Sequence, residues 1–240
     1  MVDQAGSSRG REREAAVEPA RAPRKGLKEK REAIQYGART VFGRDGYTRA
    51  SIDAIAAEAG VSTRTIYNHF TDKEELFGSV FLESTVSVTE ASQELLDRHL
   101  RKLRRIEDVE ADFLAYARDW VGQGSEHPEH FALVRQIVTE GSRMPAAVID
   151  EWQRTGPRTL RLNLARRLRE LADAGLLDID ADGEMAAARH LSVLVGGVML
   201  ETYFGALPMG ADEAEEYARS AVWAFLKLYG VPAGGGGGGE

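Results

Sequence analysis

The chain contains no cysteine. That excludes disulfides, thiolate metal ligands and thiol nucleophiles, and it suits a reducing compartment, so a cytoplasmic protein is expected. No apolar run approaches the roughly 20 residues a membrane helix needs, so no membrane partner is expected. The longest, Leu191 to Leu200, is interrupted by Ser192, Gly196 and Gly197 and reads as a buried helix. The N-terminus lacks the apolar stretch of a secretory signal. Also missing are a nucleophile elbow, a phosphate-binding loop and a dinucleotide glycine pattern. No enzyme activity and no cofactor is therefore expected. Paired acids such as Glu74-Glu75 and Glu215-Glu216 read as solvated helix faces. His127 and His130, flanked by Glu126 and Glu129, are the nearest thing to a metal pair. Without a denser ligand cluster beside them, no metal site is assigned.

What is present is helix. The 240 residues allow one or two domains with a sizeable core. Alternating strand patterns of useful length are absent. The net charge of −7 is unevenly spread: residues 1–81 hold 14 Lys/Arg against 12 Asp/Glu, and residues 82–240 hold 17 against 26. Local charge rather than the total is what meets a polyanion. Residues 1–23 mix Gly, Ser, Arg, Glu, Ala and Pro and are expected to be a disordered arm. Residues 231–240, with the Gly234–Gly239 run, form an expected flexible tail.

The most informative stretch runs from Ser51 to Phe70. Ser51 can cap a short helix carrying Ile52, Ile55, Ala56 and Ala59 on one face. Gly60 ends it, since glycine accepts the left-handed backbone of a C-cap. Val61 fills the corner, Ser62 caps a second short helix, and Ile66 and Phe70 point inward four residues apart. The other side shows Thr63, Arg64, Thr65, Tyr67, Asn68 and His69. A helix-turn-helix places such a helix in the major groove. Before it, residues 28–44 carry Ile34, Ala38, Val41 and Phe42 on one helical stripe, ending at Gly46. After it, Asp72-Lys73-Glu74-Glu75 starts a long helix with acids in its first turn.

These residues resemble the DNA-binding domain of the TetR family of transcriptional regulators. The matching elements are Ala38, Phe42, Gly46-Tyr47, Ser51, Ile55-Ala56, Gly60-Val61-Ser62, Ile66-Tyr67, His69-Phe70, Lys73 and Leu76-Phe77. Counting that long helix, from Asp72 to about His99, six more are expected. The others run from Phe113 to near Gly122 or Gly124, from Pro128, from Pro145 with a kink or break at Gly156-Pro157 before it resumes from Leu160 to Gly175, from Glu184 to about Ala206, and from Ala211 to Tyr229. The resemblance implies an all-α fold of about nine helices. Residues 24–81 would be the helix-turn-helix domain and 82–230 a domain for effector binding and dimerisation.

The site residues follow. Arg can bridge guanine acceptors, Asn can pair adenine and a Thr methyl can touch thymine, so Thr63, Arg64, Thr65 and Asn68 are base-edge candidates. Tyr67, His69 and Lys73 are phosphate candidates, and Ser51 and Ser62 can cap, contact phosphate, or both. For His69 the alternative is a partly buried packing residue. Lys25 and Lys28 open the first helix, where they can lie on the DNA backbone or simply solubilise the arm. Large rings and polar groups cluster in the middle helices. Phe113, Tyr116, Trp120, Phe131, Arg135, Trp152, His190 and Tyr203 are candidates for an effector pocket or for a filled core. Leu194, Gly197, Val198, Val222, Phe225 and Leu226 are candidates for a homodimer interface or for an intramolecular core, with Gly196-Gly197 allowing close approach of another backbone. The resemblance implies a repressor released from a near-palindromic double-stranded operator by a small molecule. Activation, sequence-insensitive DNA binding and a plain interaction module are the alternatives.

Overall fold

A computed structural model describes residues 23–232, with side chains from residue 26. The expected arm and glycine tail otherwise lie outside the described residues. The described chain is all-α, with one isolated bridge between Leu177 and Gly230.

The first three helices close around one core. α1 (Pro23–Asp45) buries Ile34, Ala38, Val41 and Phe42, a stripe at helical spacing. α2 (Ile52–Glu58) begins where the Ser51 hydroxyl accepts from the Ala54 N–H at 3.1 Å, and α3 (Thr63–Tyr67) where Ser62 does the same for Thr65. These caps satisfy helix-end donors that short helices cannot satisfy internally. Between them Gly60 adopts a φ of 63°, which turns the chain sharply. α4 (Lys73–His99) follows, capped by Asp72 through the Glu75 N–H at 2.8 Å.

The remaining helices are α5 (Val109–Glu126), α6 (Pro128–Glu140), α7 (Ala146–Gln153), α8 (Thr159–Asp173), α9 (Glu184–Gly196), α10 (Val198–Glu201) and α11 (Ala211–Tyr229). A π turn over Arg154–Arg158 joins α7 to α8. Gly156-Pro157 therefore bends this rod without ending it: the wider turn accommodates the proline. Counting α7–α8 and α9–α10 as single bent rods gives the nine helices expected.

Two boundaries differ from the sequence reading. α5 runs past Gly122 and Gly124 to Glu126. Gly124 is there for contact: a Cβ on it would stand 3.5 Å from the Gly205 Cα, and one on Gly205 would stand 2.8 Å from the Gly124 carbonyl oxygen. The α9–α10 rod stops at Glu201 instead of Ala206, because Tyr203 and Phe204 turn to positive φ (48° and 53°) ahead of Gly205.

There are two hydrophobic cores. One joins α1–α4 and also takes Leu133, Val134 and Ile137 from α6. The other joins the C-terminal half of α4 to α5, α8, α9 and α11, with Phe113 stacked on Phe225 at 5.3 Å between centroids. α4 passes from one to the other.

Candidate nucleic-acid interface and ligand pocket

Ile66 on α3 and Phe70 just after it are buried and hold the helix against α1 and α4. Arg64, Tyr67 and Asn68 are exposed on the opposite side. Their spacing of three and four residues puts them on one ridge. Thr63, Thr65 and His69 are half-buried beside it. The Thr65 hydroxyl is shared with the Ser62 cap at 2.8 Å. Ser51 is exposed while capping α2. Lys28 is exposed and pairs loosely with Glu32 at 3.6 Å; the Lys25 side chain lies outside the described residues. Arg31, the last of the basic residues Arg24, Lys25, Lys28, Lys30 and Arg31, folds back: its guanidinium lies 4.4 Å from the Phe70 ring centroid and donates to the His69 carbonyl at 3.4 Å.

Lys73 departs from the sequence reading. Its ammonium donates to the carbonyl oxygens of Tyr47, Thr48 and Ala50 at 3.0, 3.4 and 3.1 Å and sits 4.7 Å from the Tyr47 ring centroid. An ammonium has three donors, and all three are used. Lys73 clamps the α1–α2 turn to α4 where a phosphate contact was expected.

A cavity of about 320 Å³ lies where the two cores meet. Leu96, Tyr116 and Leu164 come from one core; Phe131, Val134 and Trp152 come from the other. Of the eight residues expected here, Tyr116, Trp120, Phe131 and Trp152 line it. The other four are placed elsewhere. Phe113 is fully buried in its stack with Phe225. Arg135 donates to the Phe204 carbonyl at 2.6 Å and pins the strained turn at 203–205. His190 is exposed and bonds the Tyr229 hydroxyl at 2.6 Å. Tyr203 points outward, and Phe204 after it takes the place on the wall. Wall residues that sequence reasoning missed include Thr85, Ser92 and Gln93 on α4 and Arg161 on α8. Helical spacing on α4 was their only available signal. His130 also faces the cavity. Burial, and then the neighbouring His127, push its pKa down to about 4, so the ring is neutral at pH 7. Its Nδ1 lies 3.1 Å from the Ser84 hydroxyl.

Two family models match the chain. One, described as bacterial regulatory proteins of the tetR family, matches residues 36–80; the other, the C-terminal domain of AefR-like transcriptional repressors, matches residues 123–231. The chain belongs to the TetR family of transcriptional regulators. It is similar to the transcriptional regulator UidR of Escherichia coli K12, 26% identical over 196 residues that cover 81% of this chain and 87% of UidR. It is also similar to a TetR-family crystal structure from Mesorhizobium loti, with 29% identity, a TM-score of 0.74, and coverage of 85% of this chain and 98% of that one. The structure of the flavonoid-responsive regulator FrrA is 27% identical with a TM-score of 0.63, covering 86% of this chain and all of FrrA.

TetR-family regulators bind DNA. Three of the residues expected at a subunit interface of this one need correction. Val198, Val222 and Phe225 are 1%, 2% and 0% exposed, so they belong to the chain's own core. Leu194 and Leu226 are half-buried and pack on that core. At Gly197 a Cβ would clash with the Tyr217 hydroxyl, so the glycine makes room for a side chain of its own chain. The apolar stripe visible in the sequence is the inward one. The outward stripe lies beside it: Val193 and Leu200 on the α9–α10 rod and Trp223 and Leu228 on α11, each more than half exposed.

Among the described residues no cluster of three or more His, Asp or Glu can hold a metal ion, and no helix is long and apolar enough to cross a membrane.

Proposed function

We propose that this chain is a sequence-specific repressor that acts in the cytoplasm as a C2 dimer on a near-palindromic operator and is released by a small molecule. The observation that carries the reading is the exposed ridge of Arg64, Tyr67 and Asn68 over a helix fixed by Ile66 and Phe70. Arg64 and Asn68 suit base edges and Tyr67 suits a phosphate. The outward stripe on α9–α10 and α11 supports pairing of two copies, which would set two recognition helices about one DNA turn apart. The description of the AefR-like model as a repressor supports the direction of regulation.

Release follows from the position of the cavity. α6 supplies His130, Phe131 and Val134 to its wall and Leu133, Val134 and Ile137 to the head's core. α4 spans both. A ligand that prefers one arrangement of α4 and α6 therefore biases the position of the head. Only a difference in ligand affinity between the two arrangements can drive this, and it works equally in reverse.

Competition gel shifts with the full chain test the reading. A bound fragment should resist excess random DNA, and Arg64→Ala or Asn68→Ala should remove that resistance. Displacement by random DNA at parity with its own fragment would refute sequence-specific binding.

A further inference from the structure

The chemistry of the cavity wall narrows what it can hold. The chain carries 38 acidic residues, yet no aspartate or glutamate lines this cavity. The contrast with the neighbouring clefts is direct. The one between α4 and α7 is rimmed by Asp72, Glu74, Glu75 and Glu151, and the one beside His127 by Glu83, Glu126 and Glu129. Of these three, among the described residues, the seam cavity alone excludes negative charge.

Its polar groups lean the other way. Arg161 on α8 lines the wall and pairs with no carboxylate among the described residues. The Trp120 indole N–H on α5 is buried without an acceptor. The Ser92 hydroxyl donates to the Gln123 Oε1 at 3.1 Å, which leaves the Gln123 amide hydrogens for a ligand. Thr85 and Thr89 direct their hydroxyl protons to the backbone carbonyls of Phe81 and Thr155. They keep lone pairs but no charge that would hold a cation. Gln93, Ser192 and the neutral His130 ring are the other polar groups; the rest of the wall is apolar, with aliphatic side chains such as Leu96, Leu164 and Met199 beside the rings of Tyr116, Trp120, Phe131, Trp152 and Phe204. Such walls favour flat ligands by offset stacking.

We propose that this cavity takes a flat aromatic acid, a fused or linked ring system bearing a carboxylate or phenolate oxygen. Arg161 meets the anionic oxygen, the Trp120 N–H and Gln123 amide meet further acceptors, and the rings enclose the body. Buried unpaired donors are costly, so a ligand that supplies acceptors gains what one without them forfeits. A cation could rest on the rings, but it would face Arg161 with no carboxylate to offset it. This rests on the effector reading above and specifies its chemistry.

Calorimetric titration of the full chain tests it with three probes of one shape: 2-naphthoate, neutral 2-acetylnaphthalene and the ammonium form of 2-(aminomethyl)naphthalene. Naphthoate should bind about tenfold or more tighter than the ammonium probe. Arg161→Met should cut naphthoate affinity about tenfold and leave acetylnaphthalene within about twofold. Trp120→Phe should weaken both oxygen-bearing probes. An ammonium probe that binds as tightly as naphthoate overturns the proposal and leaves the ligand cavity standing. So does an Arg161→Met variant that weakens both oxygen probes equally. Binding of none of the three removes the cavity reading together with the proposal.

Discussion

The Glu140 carboxylate, at the end of α6, accepts hydrogen bonds from both the backbone N–H of Thr48, at 2.9 Å, and the Thr48 hydroxyl. These bonds hold the Glu140 carboxyl below the usual carboxylate range. The helix that walls the cavity thus grips the α1–α2 turn of the DNA-binding head directly. Gly46 makes room for the grip: it adopts a φ of 83°, and a Cβ there would lie 2.7 Å from the Gln136 Oε1 and 2.8 Å from the Glu140 Oε1. A double-mutant cycle of Thr48→Ala and Glu140→Ala, read by denaturant unfolding, should return about 1 kcal/mol of coupling. Additive effects would show that the contact contributes nothing.

Lys73 offers a sharper contrast, because its two possible roles leave different signatures. As a clamp on three carbonyls, its replacement in Lys73→Met should lower unfolding free energy by about 2 kcal/mol. The salt dependence of DNA binding should keep its slope. A phosphate contact would show the reverse: intact stability and a slope smaller by about one ion. Thermal unfolding and a salt titration of DNA affinity decide between them.

His130 gives the protein a pH-dependent stability. The unfolded chain protonates this ring near its ordinary value of 6.5, the folded chain only near 4. Between those values the unfolded state binds more protons, so stability falls as pH drops from about 6.5 towards 4. At pH 5 the loss relative to pH 7 should be about 2 kcal/mol from this residue. Besides His127, which caps its helix, the charged groups lining the adjoining cleft with it are Arg39, Glu83, Glu126 and, on its own helix, Glu129. His130→Gln should flatten this part of the unfolding profile. An unchanged slope between pH 7 and 5 would contradict the buried neutral ring.

The proposed dimer is tested by its outward stripe. Val193→Asp combined with Trp223→Glu should shift the sedimentation coefficient from dimer to monomer without changing the far-ultraviolet spectrum. Affinity for a two-half-site DNA should fall by about tenfold or more, since a monomer loses the effective concentration of its second head. A variant that stays dimeric would place the interface elsewhere.

How legible was this in the sequence? The helix starts were, because caps and prolines are local: Ser51, Ser62, Asp72 and Pro128 stand where their helices begin. Inward-facing stripes were legible too. What a stripe cannot say is whether it packs against its own chain or another, and so Val222 and Phe225 were misplaced. Nor could spacing separate a ring on a cavity wall from one deep in a core, as Tyr116 and Phe113 show. The Lys73 clamp was not legible because its partners are backbone carbonyls, which carry no residue identity. Gly124 was misread as a helix end because its contact with Gly205 joins residues far apart in the chain.

The central claim is that the α3 ridge reads DNA sequence as one half of a symmetric pair. Its most direct test is selection of bound fragments from random double-stranded DNA by the full chain, followed by sequencing. The account predicts a near-palindrome with half-sites about one helical turn apart, and its loss when Arg64 and Asn68 are both changed to alanine. Enrichment of no sequence, or the same motif from the doubly changed chain, would contradict it.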